Sequence, residues 1–470
     1  MGDLPSWRAA RVGLLVLGVM IDSKDVVVVG GGFGGLSAGV ALAERGFRVA
    51  LLERKPELGG RAYSFEDPDT GDLVDNGQHV LMGCYTETLD FLRKIGSGAN
   101  LVFQKDLEIE MLAGPGRSAT LRTARLPGPL HMSAALMRYR HLSLKERCAA
   151  ALGGLKLLKL RRRDRGALER MTVTELMNQL GQSENARRAF WYPLSVATLN
   201  DEPEVSSAGL LAEVLMRAFF SRRSDSAFVY SRVGLSELYC RAARSFVERA
   251  GGVIAPRAIV EGLEVDGRGV VERIRLRDGR KLEAANFIVA AQAEHLVRML
   301  PENVVAQPFF QRINQLATSP IVCVHAWFDR EVTRSAFVGF IGTTTQWLFN
   351  KRRIFERHGE RHPGYLSFVI SGARRLVDLP NDDLLDLVLN DLSTMIPGAR
   401  SAKVSKAIVL KEKQATMAPT IRSHRLRPGV VTPLKNLFLA GDWIQTGLPA
   451  TIESAVISGR AAAAAVAARS

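Results

Sequence analysis

The chain has 470 residues, of which 63 are Lys or Arg and 48 are Asp or Glu, giving a formal net charge of +15. Apolar residues make up 47% and charged residues 24%, a globular balance that excludes a disordered, collagenous or small disulfide-scaffold chain. The length predicts about two domains, and the charge leaves nucleic acid, an anionic membrane surface, an anionic ligand or plain genome bias as its reasons.

Residues 12–21 (VGLLVLGVMI) form an apolar run behind Arg8 and Arg11. The run is too short for a bilayer, which takes roughly 20 residues, and no small-x-small cleavage site follows it. Met20 is therefore expected to be the true start. No other run is long enough to span, so a soluble or peripheral protein is expected.

Next comes Asp25 with four valines, a β-branched run suited to a parallel strand buried on both faces. Residues 30–35 (GGGFGG) follow it and match G-x-G-x-x-G. A helical stretch over 36–45 and a second strand over 48–52 lead to Glu53, 18 residues after Gly35. Gly30 allows the tight turn, Gly32 lets backbone approach a pyrophosphate, and Gly35 lets helix and strand pack closely. Phe33 and Gly34 complete the turn, whose helix N-terminus meets the phosphates. Glu53 accepts hydrogen bonds from a ribose diol, with Arg54 beside it, and disfavours a 2′-phosphate. Strand, glycines, helix, strand and acid in this order form a strong dinucleotide signature.

Residues 58–62 (LGGRA) and 75–79 (DNGQH) come next. The cysteines at 84, 148, 240 and 323 have no metal-ligand or redox spacing, so free thiols in a reducing cytoplasm are expected. Residues 137–165 hold ten Lys and Arg against Glu146 and Asp164, a net +8. Within them Leu144, Cys148, Ala151, Leu152, Leu155 and Leu158 recur at helical spacing, while Lys145, Lys156, Lys159 and Arg163 lie elsewhere on the wheel. The plain reading puts that apolar stripe on the core. The sharper one adds a membrane contact, with the basic face at anionic headgroups. Residues 190–200 (FWYPLSVATLN) are followed by Pro203, Ser206 and Ser207. A further glycine-containing segment opens at 251 and runs through Val260 to the strand at 288–291. His358 and His362, among glycines and a proline, read as a surface loop, and no metal site is expected. Residues 436–442 (NLFLAGD) form a strand entering Gly441-Asp442, and residues 448–455 (LPATIESA) open a terminal helix.

Together these segments resemble the flavin-dependent amine oxidase and phytoene desaturase superfamily over nearly the whole chain. The resemblance implies an α/β fold, a Rossmann-like FAD-binding domain interleaved with an α+β substrate domain. The FAD-binding parts are expected at 22–100, 249–300 and 426–470, and the substrate or cap parts at 101–248 and 301–425. It also implies that Gly60 and Arg61 lie along the FAD pyrophosphate and that the Val260 backbone holds the adenine. Asp442, after Gly441, would contact the ribityl–phosphate region. Thr451 and Ile452 would face the flavin pyrimidine, with Gly77, Gln78 and His79 beside the ring.

Three long segments, 75–85, 190–200 and 441–454, are similar to one branch, the hydroxysqualene dehydroxylases of bacterial hopanoid biosynthesis. That resemblance implies reductive removal of an allylic-type hydroxyl from a long-chain isoprenoid, with a proton for the leaving water and a hydride from FADH2. His79 is the candidate proton donor, with its ring otherwise bonding cofactor or backbone; Asn200 and Asp201 are second candidates, with helix capping as their other reading. No second dinucleotide fingerprint is visible, which leaves the electron donor unidentified. The alternatives are oxidative desaturation of a carotenoid or phytoene, and a non-catalytic prenyl-lipid escort, against which the intact glycine and acid set speaks. Moving a thirty-carbon lipid into water costs on the order of 20 kcal/mol. A peripheral place on the cytoplasmic face of the inner membrane is therefore expected, and nucleic acid is not, for want of a binding module.

Overall fold

The strand Asp25–Val29 is the centre of a five-stranded parallel sheet, in the computed structural model that describes residues 25–356, 359 and 362–469. The apolar run 12–21, with Met20, and His358 lie outside the described residues. Across the sheet the order is Val253–Ala255, Arg48–Leu52, Asp25–Val29, Asn286–Val289 and Leu437–Leu439. The register sets Val28 beside Leu51 and Ile288. Every residue of the central strand is buried because both faces are covered. Val26 and Val28 pack with Leu36, Val247 and Val456 from helices on one side. Val27 and Val29 pack with Leu263, Ile274 and Leu296 from a three-stranded antiparallel sheet and a helix on the other.

A second, seven-stranded sheet is built mainly from residues 318–417, with Glu108–Leu112 and Ser118–Arg122 at one edge. Its Phe337–Phe340 strand pairs parallel with Glu108–Leu112, and its other pairs are antiparallel. The helix Asn381–Met395 packs Leu384, Val388 and Leu392 on its back. Helices between residues 130 and 218 share a separate apolar core around Leu176, Trp191 and Leu211. The α/β fold with interleaved segments is thus present, and the parallel sheet draws its strands from three separated stretches of chain.

The basic segment forms the 20-residue helix Leu144–Arg163, started by a capping box in which Ser143 and Glu146 satisfy each other's backbone N–H groups. Arg161, Arg162 and Arg163 in its last turn complement the helix dipole. Its orientation corrects the sequence reading. The buried face is Ala150, Gly153, Gly154 and Leu157, whereas Leu144, Leu152 and Leu155 are 64%, 56% and 56% exposed. Cys148 is exposed as well. Small residues win the core position because the helix sits so close to its neighbours. A Cβ at Gly153 would lie 2.7 Å from Gln182 Nε2, and one at Gly154 3.1 Å from the Phe220 ring. Leu126, Leu130 and Met137 of the preceding segment are exposed too. Among the described residues no helix is long and apolar enough to cross a membrane. Replacing Leu157 by Ala is expected to cost ~2–5 kcal/mol in denaturant unfolding, and Leu152→Ser to change stability by less than about 0.5 kcal/mol. The opposite ranking would return the leucine stripe to the core.

Candidate active site

One continuous cavity of about 1360 Å³ joins the glycine-rich turn to the apolar interior of the helical region. At one end it is walled by Gly30, Gly32, Glu53, Arg61 and Val260, and at the other by side chains such as Leu107, Met111, Leu136, Trp191 and Phe219. Gln78 and His79 line it as well, as do Asp442, Thr451 and Ile452. Helix Leu144–Arg163 contributes Ala150, Ala151, Gly154 and Leu155 to the same wall; Leu155 is both cavity-lining and exposed, whereas the exposed Leu144 and Leu152 are not part of the lining.

The turn after the first strand fits a pyrophosphate by the space it leaves. A Cβ at Gly35 would sit 1.9 Å from the Gly30 carbonyl oxygen, and one at Gly30, where φ is +109°, would sit 2.8 Å from that of Ala290. These two glycines are required by the protein itself. Gly32 differs: the nearest protein atoms to its Cβ would be 3.8 Å away, across the gap to Gly59 and Gly60. A side chain there would intrude only on the cavity. Glu53 is buried, accepting from Gly31 N–H (2.7 Å) and Lys55 N–H (2.8 Å), which holds the carboxylate at the cavity edge. Arg54 donates to His295 Nε2 (2.7 Å) beside it. Phe33 stacks on Tyr239 at 3.7 Å, and the Tyr239 hydroxyl donates to the carbonyls of Gly59 and Ala62, fixing the Gly59-Gly60-Arg61 turn.

Arg61 pairs with Asp442 across 381 residues of sequence and also donates to the Ala415 carbonyl (2.8 Å). Thr451 caps the helix Ile452–Ala467, accepting from Ser454 N–H (3.2 Å), so the free N–H groups of this helix open at the cavity. Behind that turn lies Arg427, buried and bound to the carbonyls of Asp442, Trp443, Ile444 and Leu448. Burial pulls its guanidinium down to about 10. The sequence gives Arg427 no motif, only an Arg-Pro pair ahead of the last strand.

A buried polar cluster backs Gln78 and His79. His79 Nδ1–H donates to the Gly77 carbonyl (2.9 Å), leaving Nε2 on the other side of the ring. Burial lowers its pKa against the opposing pull of Asp75, so the resting ring is neutral. Behind it Lys351 Nζ donates to Asp75 Oδ2 (3.0 Å) and to Gln78 Oε1 (2.7 Å). His325, also enclosed, shares a hydrogen bond with the Tyr365 hydroxyl (3.0 Å), and burial followed by the charge of Lys351 brings its pKa down to about 3.

The second pair of acid candidates is placed otherwise. Asn200 takes the left-handed C-terminal position of helix Tyr192–Leu199, at φ +61°, and lines the cavity. Its amide is spent on Thr416 Oγ1 (2.9 Å), Ser319 O (3.4 Å) and Gly372 N (3.0 Å). The buried carboxylate of Asp201 is bound by Arg374 and by Glu202 N–H, and it is not part of the cavity wall. Both residues hold the helix end against the second sheet; neither presents a free acid. Among the described residues no group of three His, Cys, Asp or Glu side chains could hold a metal.

A parallel sheet with a fitted glycine turn, a second glycine turn paired to the terminal Gly-Asp, and a helix N-terminus at one cavity define an FAD-dependent oxidoreductase. The chain belongs to the flavin containing amine oxidoreductase family, which matches it over residues 33–467. The expected likeness to hydroxysqualene dehydroxylases is found. That of Rhodopseudomonas palustris is 30% identical over 455 residues, covering 94% of this chain and 98% of its own length. The chloroplastic/chromoplastic 15-cis-phytoene desaturase of Solanum lycopersicum is 25% identical over 460 residues, covering 94% of this chain and 77% of its own. An oxidoreductase from Methanosarcina mazei has the same fold, with a TM-score of 0.71 at 16% identity over 93% of this chain and 99% of its own. A steric contrast follows from the glycines. Gly35→Ala is expected to destabilise the protein by ~3 kcal/mol or more through overpacking, lowering the melting temperature even without cofactor. Gly32→Ala should leave the cofactor-free melting temperature unchanged and abolish retention of the yellow flavin, read by absorbance after gel filtration.

Proposed function

We propose that this enzyme reduces hydroxysqualene to squalene in squalene and hopanoid biosynthesis, taking its substrate from an anionic membrane to which it binds peripherally. The observation that carries this reading is the single cavity running from the FAD groove into an apolar chamber; the similarity to hydroxysqualene dehydroxylases names the lipid. When bound and reduced by a donor still to be identified, FAD supplies a hydride at N5. The chain's residues do the rest. The apolar wall holds the isoprenoid and excludes water from a carbon that becomes electron-poor as its C–O bond breaks. His79, its Nδ1 anchored on Gly77, takes up a proton at Nε2 and gives it to the departing hydroxyl, which leaves as water. The burial that makes its imidazolium scarce also makes it a stronger acid. A second reading, oxidative desaturation of a polyisoprenoid, is favoured by the phytoene desaturase relative and would use the same chamber.

Anaerobic incubation of the photoreduced enzyme with hydroxysqualene, followed by mass spectrometry, is expected to give squalene. Desaturation of phytoene by the oxidised enzyme, with no squalene from the reduced one, would select the second reading. The single-turnover rate should rise as pH falls through the His79 pKa, because the protonated ring is the acid. That rise is centred below the ordinary histidine value of about 6.5. His79→Ala should slow the step by ~10²–10⁴-fold and flatten the profile; an unchanged rate would remove His79 from the chemistry.

Attachment to the membrane is supported by the exposed Leu144, Leu152 and Leu155, the last of which also lines the chamber, among the exposed Arg138, Arg140, Lys145, Lys156 and Lys159. Each basic residue near an anionic surface contributes about 1 kcal/mol, weakened by salt. The protein is expected to sediment with vesicles containing anionic lipid and to be released by salt. Replacing the three leucines with serine should lower binding at every salt concentration, while equal binding to neutral vesicles would refute the electrostatic part.

A further inference from the structure

Lys351 is the first residue of the short helix Lys351–Ile354, and its side chain is 0% exposed. The ammonium has three donors, and the structure occupies each direction: Asp75 Oδ2, Gln78 Oε1, and the face of Phe355, 3.9 Å from the ring centroid. Asp75 is itself saturated, its other oxygen accepting from Ser64 Oγ–H (2.9 Å) and Leu235 N–H (3.2 Å). Among the described residues the pair is therefore a closed, buried unit with a single outlet, the amide of Gln78. An ammonium has no lone pair to offer, so it meets only the amide oxygen. The –NH2 of Gln78 is thereby turned away from Lys351, and Gln78 lines the cavity.

We propose that Lys351 is a positioning residue for the flavin: acting through Gln78, it fixes an amide donor at the ring and favours the electron-rich reduced state. A fixed donor gains most where negative charge develops, and one that must first reorient loses that advantage. Polarisation by the ammonium strengthens the same N–H groups. Charge and hydrogen bonding at the ring are the protein's means of tuning a flavin. The inference rests on FAD occupying this cavity and is independent of which lipid is reduced.

The test is the midpoint potential of the FAD-loaded full chain, measured by dye equilibration. Lys351→Met alone would strand the Asp75 charge, so the variant is Lys351→Met with Asp75→Asn, which leaves no buried ion. It is compared with Gln78→Leu and with the triple substitution. Each of the first two is expected to shift the oxidised-to-reduced ratio about tenfold toward oxidised flavin, ~30 mV more negative for a two-electron couple. The triple variant should shift no further than Gln78→Leu, since Lys351 acts through that amide. A wild-type potential in the charge-free variant, or shifts that add in the triple, would overturn the proposal. Gln78→Leu leaves the ion pair intact and decides alone if the charge-free variant does not fold: an unchanged potential refutes the role, and a negative shift supports it. Loss of squalene formation with these potentials unchanged would count against the substrate reading and leave FAD binding untouched.

Discussion

The contact between helices Phe33–Ala43 and Ile452–Ala467 carries the rest of the structure. At its closest point it brings backbone against backbone. A Cβ at Gly459 would lie 2.2 Å from both the Gly34 carbonyl oxygen and Ser37 Oγ, and one at Gly34 would lie 3.1 Å from Gly441 N. Ser458 Oγ closes the same corner, accepting from Gly441 N–H (2.8 Å). Two segments more than 400 residues apart are thus held at backbone distance. The cofactor groove follows from that closeness, because Gly32, Arg61, Asp442 and the N-terminus of the last helix all meet at its rim. It is also why the intervening chain can wander through a second sheet and a helical cap: the groove depends on the two ends meeting, and loop length between them costs little.

Buried charge is distributed around this groove with a consistent economy. Among the described residues Arg427 has no hydrogen-bonded carboxylate, and it is solvated by the carbonyls of the very turn that ends in the capping Thr451. Lys351 is neutralised by Asp75, and Arg352, its neighbour, by Asp72, which also accepts from the Trp327 indole (2.7 Å). Breaking one partner of such a pair would leave an uncompensated charge, so these ions are costly to alter and resist drift. Their positions tie the 72–79 segment, which carries Gln78 and His79, to the second sheet. The edge of the cavity at Gln78 and His79 is consequently held by residues from both halves of the fold.

The cofactor half was legible in the sequence because each demand there is local. A glycine facing a carbonyl, an acid at a strand end, or a threonine opening a helix can be recognised from neighbours a few residues away. Lys351 was not legible. In Lys351-Arg352-Arg353 nothing distinguishes the residue that is fully buried from a solvated basic turn, since its partners Asp75 and Gln78 lie more than 270 positions away. Tyr239 and Arg427 were missed for the same reason, as each acts on backbone that only the fold brings near. Asn200 was legible as a helix end, and its left-handed backbone matches that reading better than catalysis.

The helix Leu144–Arg163 shows where periodicity misleads. Hydrophobic spacing reveals that a stripe exists and not which way it faces. Here the deciding feature is volume: Ala150, Gly153 and Gly154 let the backbone approach Gln182 and Phe220, and a leucine stripe in that place would hold the helix away and open the chamber wall. The leucines are therefore turned outward, an arrangement that would be a liability in water unless something apolar covers it. The concentration of basic residues around them narrows what that cover can be. A protein partner would be matched by mixed charge, whereas a predominantly basic rim about exposed leucines would suit the proposed anionic headgroups over hydrocarbon. Eight of the chain's fifteen excess positive charges fall in the 29-residue stretch whose helix also walls the apolar chamber, so under the proposed membrane attachment one segment would serve both roles.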